Sequence, residues 1–171
     1  AGSGIGRSFA LELAKRNTAV VCADLKLESA EETVALIEKA GGKAYAVACD
    51  VGKAGQVKQL AAKSEKLLGN PVTLLVNNAG VGIGGKFEEL SLEDWKWAMD
   101  VNLWGVVHGC HYFVPGFKKQ GRGAIINVAS AASYTAAPEM SAYNVTKAGV
   151  RALSETLYAE LKRDNINVNV L

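Results

Sequence analysis

The sequence predicts an α/β fold: a doubly wound parallel sheet with helices on both faces, in three α/β/α layers. Three observations predict it. Short apolar segments alternate with longer amphipathic ones along the whole chain. The apolar segments, such as TAVVCA and GAIINVAS, are continuous runs and not alternating ones, as expected of strands covered on both faces. Several close on small or polar residues: Asp24, Asp50-Val51, Asn77–Gly80 and Ser130.

A glycine-rich turn, Ala1–Gly6, opens the chain, and Arg7–Arg16 continues as a helix with Phe9, Ala10, Leu13 and Ala14 on one face. Thr18–Ala23 is a strand closing on Asp24. Ser29–Ala40 is a helix with Val34, Ala35 and Ile37 turned inward, and Gly41-Gly42 stops it. Lys43–Cys49 is the next strand. Lys53–Leu68 is an amphipathic helix ended by Gly69-Asn70-Pro71. Val72–Val76 is a buried strand running into Asn77-Asn78-Ala79-Gly80, and a glycine-rich loop, Val81–Gly85, leads outward.

Ser91 reads as an N-cap, with Asp94 three positions later as its capping-box partner. The helix Leu92–His111 carries Trp95, Met99, Leu103, Val106 and Val107 at helical spacing as core packing, and runs on to a break at Pro115-Gly116. The strand Gly123–Ser130, a loop carrying Pro138, a long helix Ser141–Arg163 and a strand Asn167–Leu171 complete the chain. With no repeat, low-complexity stretch or linker, residues 1–171 read as a single domain. The glycine turn has no strand before it and the chain closes inside an apolar run, so both ends are expected to be cropped.

Composition narrows the function. A net charge of +2, with the basic residues scattered, argues against nucleic acid or an anionic surface as partner. No apolar run reaches membrane-spanning length, and no secretory signal opens the chain. Cys22, Cys49 and Cys110 are odd in number, with no CxxC spacing, which argues against a disulfide framework or a zinc site. They read as small buried hydrophobes in a reducing cytoplasm. His108 and His111 are three apart with no third ligand nearby, so no metal site is assigned.

The chemistry concentrates between Ser130 and Lys147. Tyr143 follows Ser130 by thirteen positions and Lys147 follows Tyr143 by four, so the Tyr and Lys share one face of a helix. A phenol titrates near 10, and a neighbouring ammonium favours its ionised form. A Tyr so tuned passes a proton to or from an alcohol near neutral pH. Alone, Tyr-x-x-x-Lys is more often a packed Tyr beside a solvated Lys.

A second constellation lies at the start. The turn Gly2-Ser3-Gly4-Ile5-Gly6 precedes the first helix, where free N–H groups and the dipole suit a pyrophosphate. Asp24 falls eighteen residues after Gly6, at the end of the next strand. A carboxylate there accepts hydrogen bonds from both ribose hydroxyls of an adenosine and repels a 2′-phosphate, which favours NAD over NADP. Lys26 stands close enough in sequence to meet such a phosphate and weakens that preference. In an open α/β sheet these strand ends should line one edge.

Taken together the motifs resemble the short-chain dehydrogenase/reductase family over essentially the whole chain. Ala1–Gly6 matches the end of its opening Thr-Gly-x-x-x-Gly-x-Gly motif, Asn77–Gly80 its Asn-Asn-Ala-Gly, Val101-Asn102-Leu103-Trp104-Gly105 its Val-Asn-x-x-Gly, and Ser130, Tyr143 and Lys147 its Ser–Tyr–Lys set. The resemblance implies a Rossmann-type dinucleotide-binding domain that also carries the catalytic residues. Tyr143 would be the general acid/base, Lys147 would lower its pKa and hold the nicotinamide ribose, Ser130 would polarise the reacting oxygen, and Asn102 would hold a relay water. Gly2, Ser3, Gly4, Ile5, Gly6, Asp24, Asp50, Val51, Asn78, Ala79 and Gly80, with Tyr143 and Lys147, would hold the dinucleotide.

The family's first strand and its C-terminal lid are missing from this chain, and such a piece is expected not to fold stably by itself. The function implied is hydride transfer between NAD(H) and a secondary alcohol or ketone. An NADP-preferring carbonyl reductase and a non-catalytic dinucleotide sensor or scaffold are the alternatives; a methyltransferase would leave Ser130, Tyr143 and Lys147 unexplained. Ser133 fits the spacing less well and reads as structural. Ile83, Tyr134, Ala136, Ala137 and Met140 make the substrate loops apolar, suggesting a hydrophobic substrate. Family members commonly assemble through the two long helices, so a homotetramer or homodimer is expected, with Trp97, Trp104 and Tyr112 on the outer side.

Overall fold

A computed structural model describes residues 1–171. In chain order the elements are α1 (Gly4–Lys15), β1 (Val20–Asp24), α2 (Leu27–Lys39), β2 (Ala44–Ala48), α3 (Ala54–Leu68), β3 (Leu74–Asn77), α4 (Leu92–Met99), α5 (Gly105–Gln120), β4 (Gly123–Asn127), α6 (Ser141–Leu161) and β5 (Ile166–Val170). A π-helical turn, Asp100–Trp104, joins α4 to α5. Short 3-10 turns lie at Ala131–Ser133 and Lys162–Asp164. Every strand pairing is parallel, which is the α/β architecture expected. The strands form two hydrogen-bonded sheets, β1-β2 and β3-β4-β5.

The chain divides into two compact units, Ala1–Asp50 with Ala54–Val72, and Val51–Lys53 with Thr73–Leu171. In the first, β1 and β2 pair from Val20 opposite Ala44 to Asp24 opposite Ala48. Its core packs small residues, Ala10, Ala14, Cys22, Ala30 and Ala44, around the larger Ile37. Small side chains let α1 and α2 approach the strands closely. The inward face of α2 is Ala30, Thr33 and Ile37, while Ala35, expected inward, is exposed. Thr33 occupies a core position because its hydroxyl has acceptors there, the carbonyls of Ala1 and Ser29.

In the second unit, β4 is the middle strand, and α5 and α6 both pack on it. Phe113, Phe117, Ile125, Val150, Ile166 and Val168 are buried there. Ser91 caps α4 with the expected box: Asp94 N donates to Ser91 Oγ at 3.0 Å, and Ser91 N donates to Asp94 Oδ2 at 3.2 Å.

The expected break at Pro115-Gly116 does not occur; α5 runs through Pro115 to Gln120 and stops at Gly121, in the left-handed region at φ 69°. The proline removes one backbone donor, and the buried Phe113 and Phe117 on either side keep that stretch docked. The discontinuity lies earlier, at Asp100–Trp104, where Gly105 N–H donates to the Asp100 carbonyl five residues back. Of the expected core residues Val106 is fully buried, while Trp95, Met99, Leu103 and Val107 are half-buried. Ala98 and Asn102 take the deepest positions.

All three cysteines are buried and unpaired. Burial pushes the Cys110 thiol up to about 11, which keeps it protonated and unreactive. No helix is long and apolar enough to cross a membrane.

Candidate functional site

In the first unit the functional residues gather at the glycine turn. Gly2 is buried, and a Cβ there would lie 2.4 Å from Ser29 Cβ and 2.9 Å from Asp24 Oδ2. Only a residue without a side chain brings its amide so close: Gly2 N donates to Asp24 Oδ2 at 2.7 Å. The other carboxylate oxygen accepts from Lys26 N at 3.1 Å. Burial alone would raise the Asp24 pKa, but the amides of Gly2 and Lys26 stabilise the carboxylate, and the carboxyl is held below its ordinary value. Asp24 is therefore an oriented, ionised acceptor.

Ser3, Gly4 and Ile5 are exposed along the turn. Gly4 sits at φ 52°, which L side chains rarely adopt. The first N–H groups of α1 lack intrahelical partners. An oriented acid beside a turn of exposed amides fits a nucleotide: the acid suits a ribose diol, the amides a phosphate. Gly6 is buried, and Asp50 donates its amide to Gln56 Oε1 at 2.7 Å.

In the second unit the residues expected to be catalytic lie on α6 (Tyr143, Lys147), on the π turn (Asn102) and just beyond β4 (Ser130). Lys147 is buried, with 4% of its surface exposed. Its Nζ donates to the Val128 carbonyl at 2.8 Å and lies 5.8 Å from the centre of the Tyr143 ring. An ammonium has three donors, so two remain for other partners. Burial holds the Lys147 pKa below the ordinary lysine value. A Cβ at Gly80 would stand 3.3 Å from Asn102 Oδ1 and 3.4 Å from Lys147 Nζ, so the Asn77–Gly80 turn lies against both side chains.

Asn102 is fully buried at the π turn. Its Oδ1 accepts from Val81 N at 2.7 Å, and its Nδ2 donates to Val81 O at 2.9 Å and to Thr146 Oγ1 at 3.3 Å. Thr146 in turn donates to the Tyr143 carbonyl at 2.8 Å. The amide expected to hold a relay water is thus engaged in fixing the loop that follows Asn78-Ala79-Gly80. Ser130 caps the short turn after β4, accepting from Ala132 N at 3.1 Å, and Ser133 Oγ donates to the Ser130 carbonyl at 2.6 Å. Val51 packs on α5: its carbonyl meets His108 Nδ1 at 2.9 Å, and a Cβ on Gly105 would lie 2.8 Å from its Cγ2.

Sequence reasoning missed a buried polar row at the strand ends. Asn77 Nδ2 donates to Asn127 Oδ1 at 2.8 Å, and Asn127 Nδ2 donates to Ser154 Oγ at 2.9 Å. Asn77 and Asn127 are direct partners in the β3–β4 register, so the row locks the strands that carry Asn78 and Ser130. The signal was an asparagine inside an otherwise apolar strand.

The loops Gly82–Gly85 and Pro138–Met140 line a cavity of about 550 Å³. Gly85 N donates to the Glu139 carbonyl at 2.7 Å and ties the two loops together. Ile83, Pro138 and Met140 give the cavity its apolar wall. Tyr134, expected in that wall, is instead exposed and stacked beneath the Arg151 guanidinium at 4.6 Å.

A buried ammonium one helical turn from a phenol, on an all-parallel α/β scaffold, is the pairing that the resemblance to the short-chain dehydrogenases implies. The chain belongs to that family: the short chain dehydrogenase profile matches residues 1–171. It is 38% identical over 170 residues to a cyclohexanol dehydrogenase of Acinetobacter sp. (strain SE19), covering 99% of this chain and 67% of that protein. A solved short-chain dehydrogenase/reductase from Burkholderia phymatum in complex with NAD superposes at a TM-score of 0.96 with 38% identity, over 99% of this chain and 61% of that one. A gluconate 5-dehydrogenase from Burkholderia cenocepacia, in complex with NADP and tartrate, superposes at 0.93 with 31% identity, over 99% and 66%. The chain spans from 29% to 67% of the length of the curated relatives it matches.

Proposed function

We propose that the chain is the dinucleotide-binding and catalytic part of an NAD-dependent oxidoreductase that interconverts a secondary alcohol and a ketone. The observation that carries this reading is Lys147, a buried ammonium with two donors to spare, beside Tyr143. A bound nicotinamide dinucleotide supplies the hydride donor or acceptor. The chain supplies the proton path and the orientation. Tyr143 gives a proton to the carbonyl oxygen or takes one from the hydroxyl. Lys147 stabilises the phenolate and donates to the nicotinamide ribose. Ser130 donates to the reacting oxygen as charge develops on it.

With its side-chain amide engaged by Val81 and Thr146, Asn102 has the second lone pair of Oδ1 left for a relay water. Asp24 takes the adenosine ribose, with Gly2, Ser3, Gly4, Ile5 and Gly6 at the phosphates and Asp50, Val51, Asn78, Ala79 and Gly80 along the rest of the dinucleotide. The Asp24 carboxylate opposes a 2′-phosphate and supports NAD over NADP.

The apolar wall of Ile83, Pro138 and Met140 supports a hydrophobic substrate. Trp97 and Trp104, each 49% exposed on the α4–π–α5 stretch, support assembly as a homotetramer or homodimer. Unpaired cysteines suit a reducing cytoplasm. The test is absorbance of reduced nicotinamide with the full-length protein, NAD and NADP side by side, and a panel of secondary alcohols. Turnover with NAD supports the reading; turnover with NADP alone overturns the role of Asp24; NAD binding without turnover on any substrate supports a sensor.

A further inference from the structure

Arg7 is not among the residues that the motifs single out, yet it reaches the glycine turn from the first turn of α1. Its Nη2 donates to the Gly2 carbonyl and lies 2.8 Å from Glu32 Oε2. Its Nε donates to Thr33 Oγ1 at 3.0 Å. Thr33, fully buried on α2, donates its own hydrogen bond to the Ala1 carbonyl at 2.9 Å. Glu32 and Thr33 thus fix the guanidinium, and the guanidinium with Thr33 holds both carbonyls that precede Ser3.

A trans peptide points its C=O and N–H in opposite directions. Holding the Ala1 carbonyl on Thr33 aims the Gly2 amide the other way, where it meets Asp24 Oδ2 at 2.7 Å. Holding the Gly2 carbonyl on Arg7 likewise aims the Ser3 amide away from the protein, along the exposed stretch Ser3–Ile5. A turn rich in glycine has little intrinsic preference for either orientation of these peptides. Something outside the turn must choose one.

We infer that Arg7, anchored by Thr33 and Glu32, is a positioning residue that orients the glycine turn for the phosphate groups of the dinucleotide. The inference rests on the dinucleotide reading above. It assigns the guanidinium a geometric role: three donors on three acceptors, a fork that lysine cannot reproduce. Thr33 makes the role separable from charge, because it is neutral and wholly buried, and reaches a ligand only through Arg7 and the turn.

The experiment titrates the full-length protein with NAD, ADP and adenosine, in wild type and in Arg7→Met, Arg7→Lys, Thr33→Val and Thr33→Ser. The quantity read is the ratio of adenosine to ADP dissociation constants, which isolates phosphate recognition from ribose recognition. Arg7→Met, Arg7→Lys and Thr33→Val should each reduce that ratio by roughly tenfold, the size of one hydrogen bond to a charged group. Thr33→Ser should retain it. Rescue by Arg7→Lys, with Thr33→Val unchanged, would show that charge alone matters and overturn the inference. Equal weakening of adenosine and ADP would show general loosening and overturn it too. A wild type that binds NAD but prefers adenosine to ADP would refute the inference alone; one that binds no NAD would refute the dinucleotide reading beneath it.

Discussion

Asn102 and Val81 are joined by a two-bond clasp. The asparagine Oδ1 accepts from Val81 N at 2.7 Å, while its Nδ2 donates to Val81 O at 2.9 Å. A side-chain amide here does what a neighbouring strand does, satisfying both backbone groups of one residue. The clasp fastens the loop after Asn77–Gly80 to the π turn. Replacing Asn102 with Leu leaves both Val81 groups without partners and should cost about 2–4 kcal/mol in a urea melt of the full-length protein. Asn102→Asp keeps the acceptor and loses the donors, so it should fall between. A melt unchanged by Asn102→Leu would show that water replaces the clasp.

Tyr143→Phe removes the proton donor and leaves its ring in place. Turnover should fall by roughly 10²- to 10⁴-fold, with the dissociation constant for NAD within a few-fold of wild type. Stopped-flow turnover and a binding titration on the same preparation separate the two effects. A variant that keeps full turnover would remove Tyr143 from the mechanism.

Lys147 predicts an alkaline stability profile. Burial lowers its pKa in the folded state, so the unfolded chain holds that proton more tightly. Stability then rises with pH between the lowered native value and the ordinary lysine value, about 10.4. Lys147→Met should abolish that rise, read from urea melts across the alkaline range, while leaving the Val128 carbonyl without its partner.

Asp24 predicts an acid profile of opposite sense. Its folded pKa is depressed despite burial, because the Gly2 and Lys26 amides stabilise the carboxylate. The contribution is complete above the ordinary Asp value, about 3.9, and is lost as pH falls through the lower native one. The stability difference between wild type and Asp24→Asn should therefore shrink toward acid. At neutral pH Asp24→Asn should weaken NAD by roughly ten- to a hundredfold and NADP by less, measured by titration.

How much of this was legible without the fold depends on the kind of signal. Parallel strands, the capping box at Ser91 and Asp94, and the pairing of Tyr143 with Lys147 all follow from local spacing, and each is present. The expected break at Pro115 failed because packing of Phe113 and Phe117 outweighs one lost backbone bond. The π turn around Asn102 had no local signature, since it arises where a buried side chain must reach the Val81 backbone, twenty-one residues away in sequence. Ala35 was placed inward on hydrophobicity, but Thr33 holds the core position because a carbonyl waits for it.

The alternation of strands and helices, the glycine turn, the strand-end acid and the Ser130–Tyr143–Lys147 spacing are readable along the chain, because they are periodicities and short-range patterns written in neighbouring residues. Only the tertiary structure decided which polar groups are engaged. It committed the Asn102 amide to Val81, locked Asn77 to Asn127, buried Lys147 and set Arg7 on the Gly2 carbonyl. A buried donor or acceptor must find a partner wherever the fold brings one, and that partner is fixed by distance in space and not by distance along the chain.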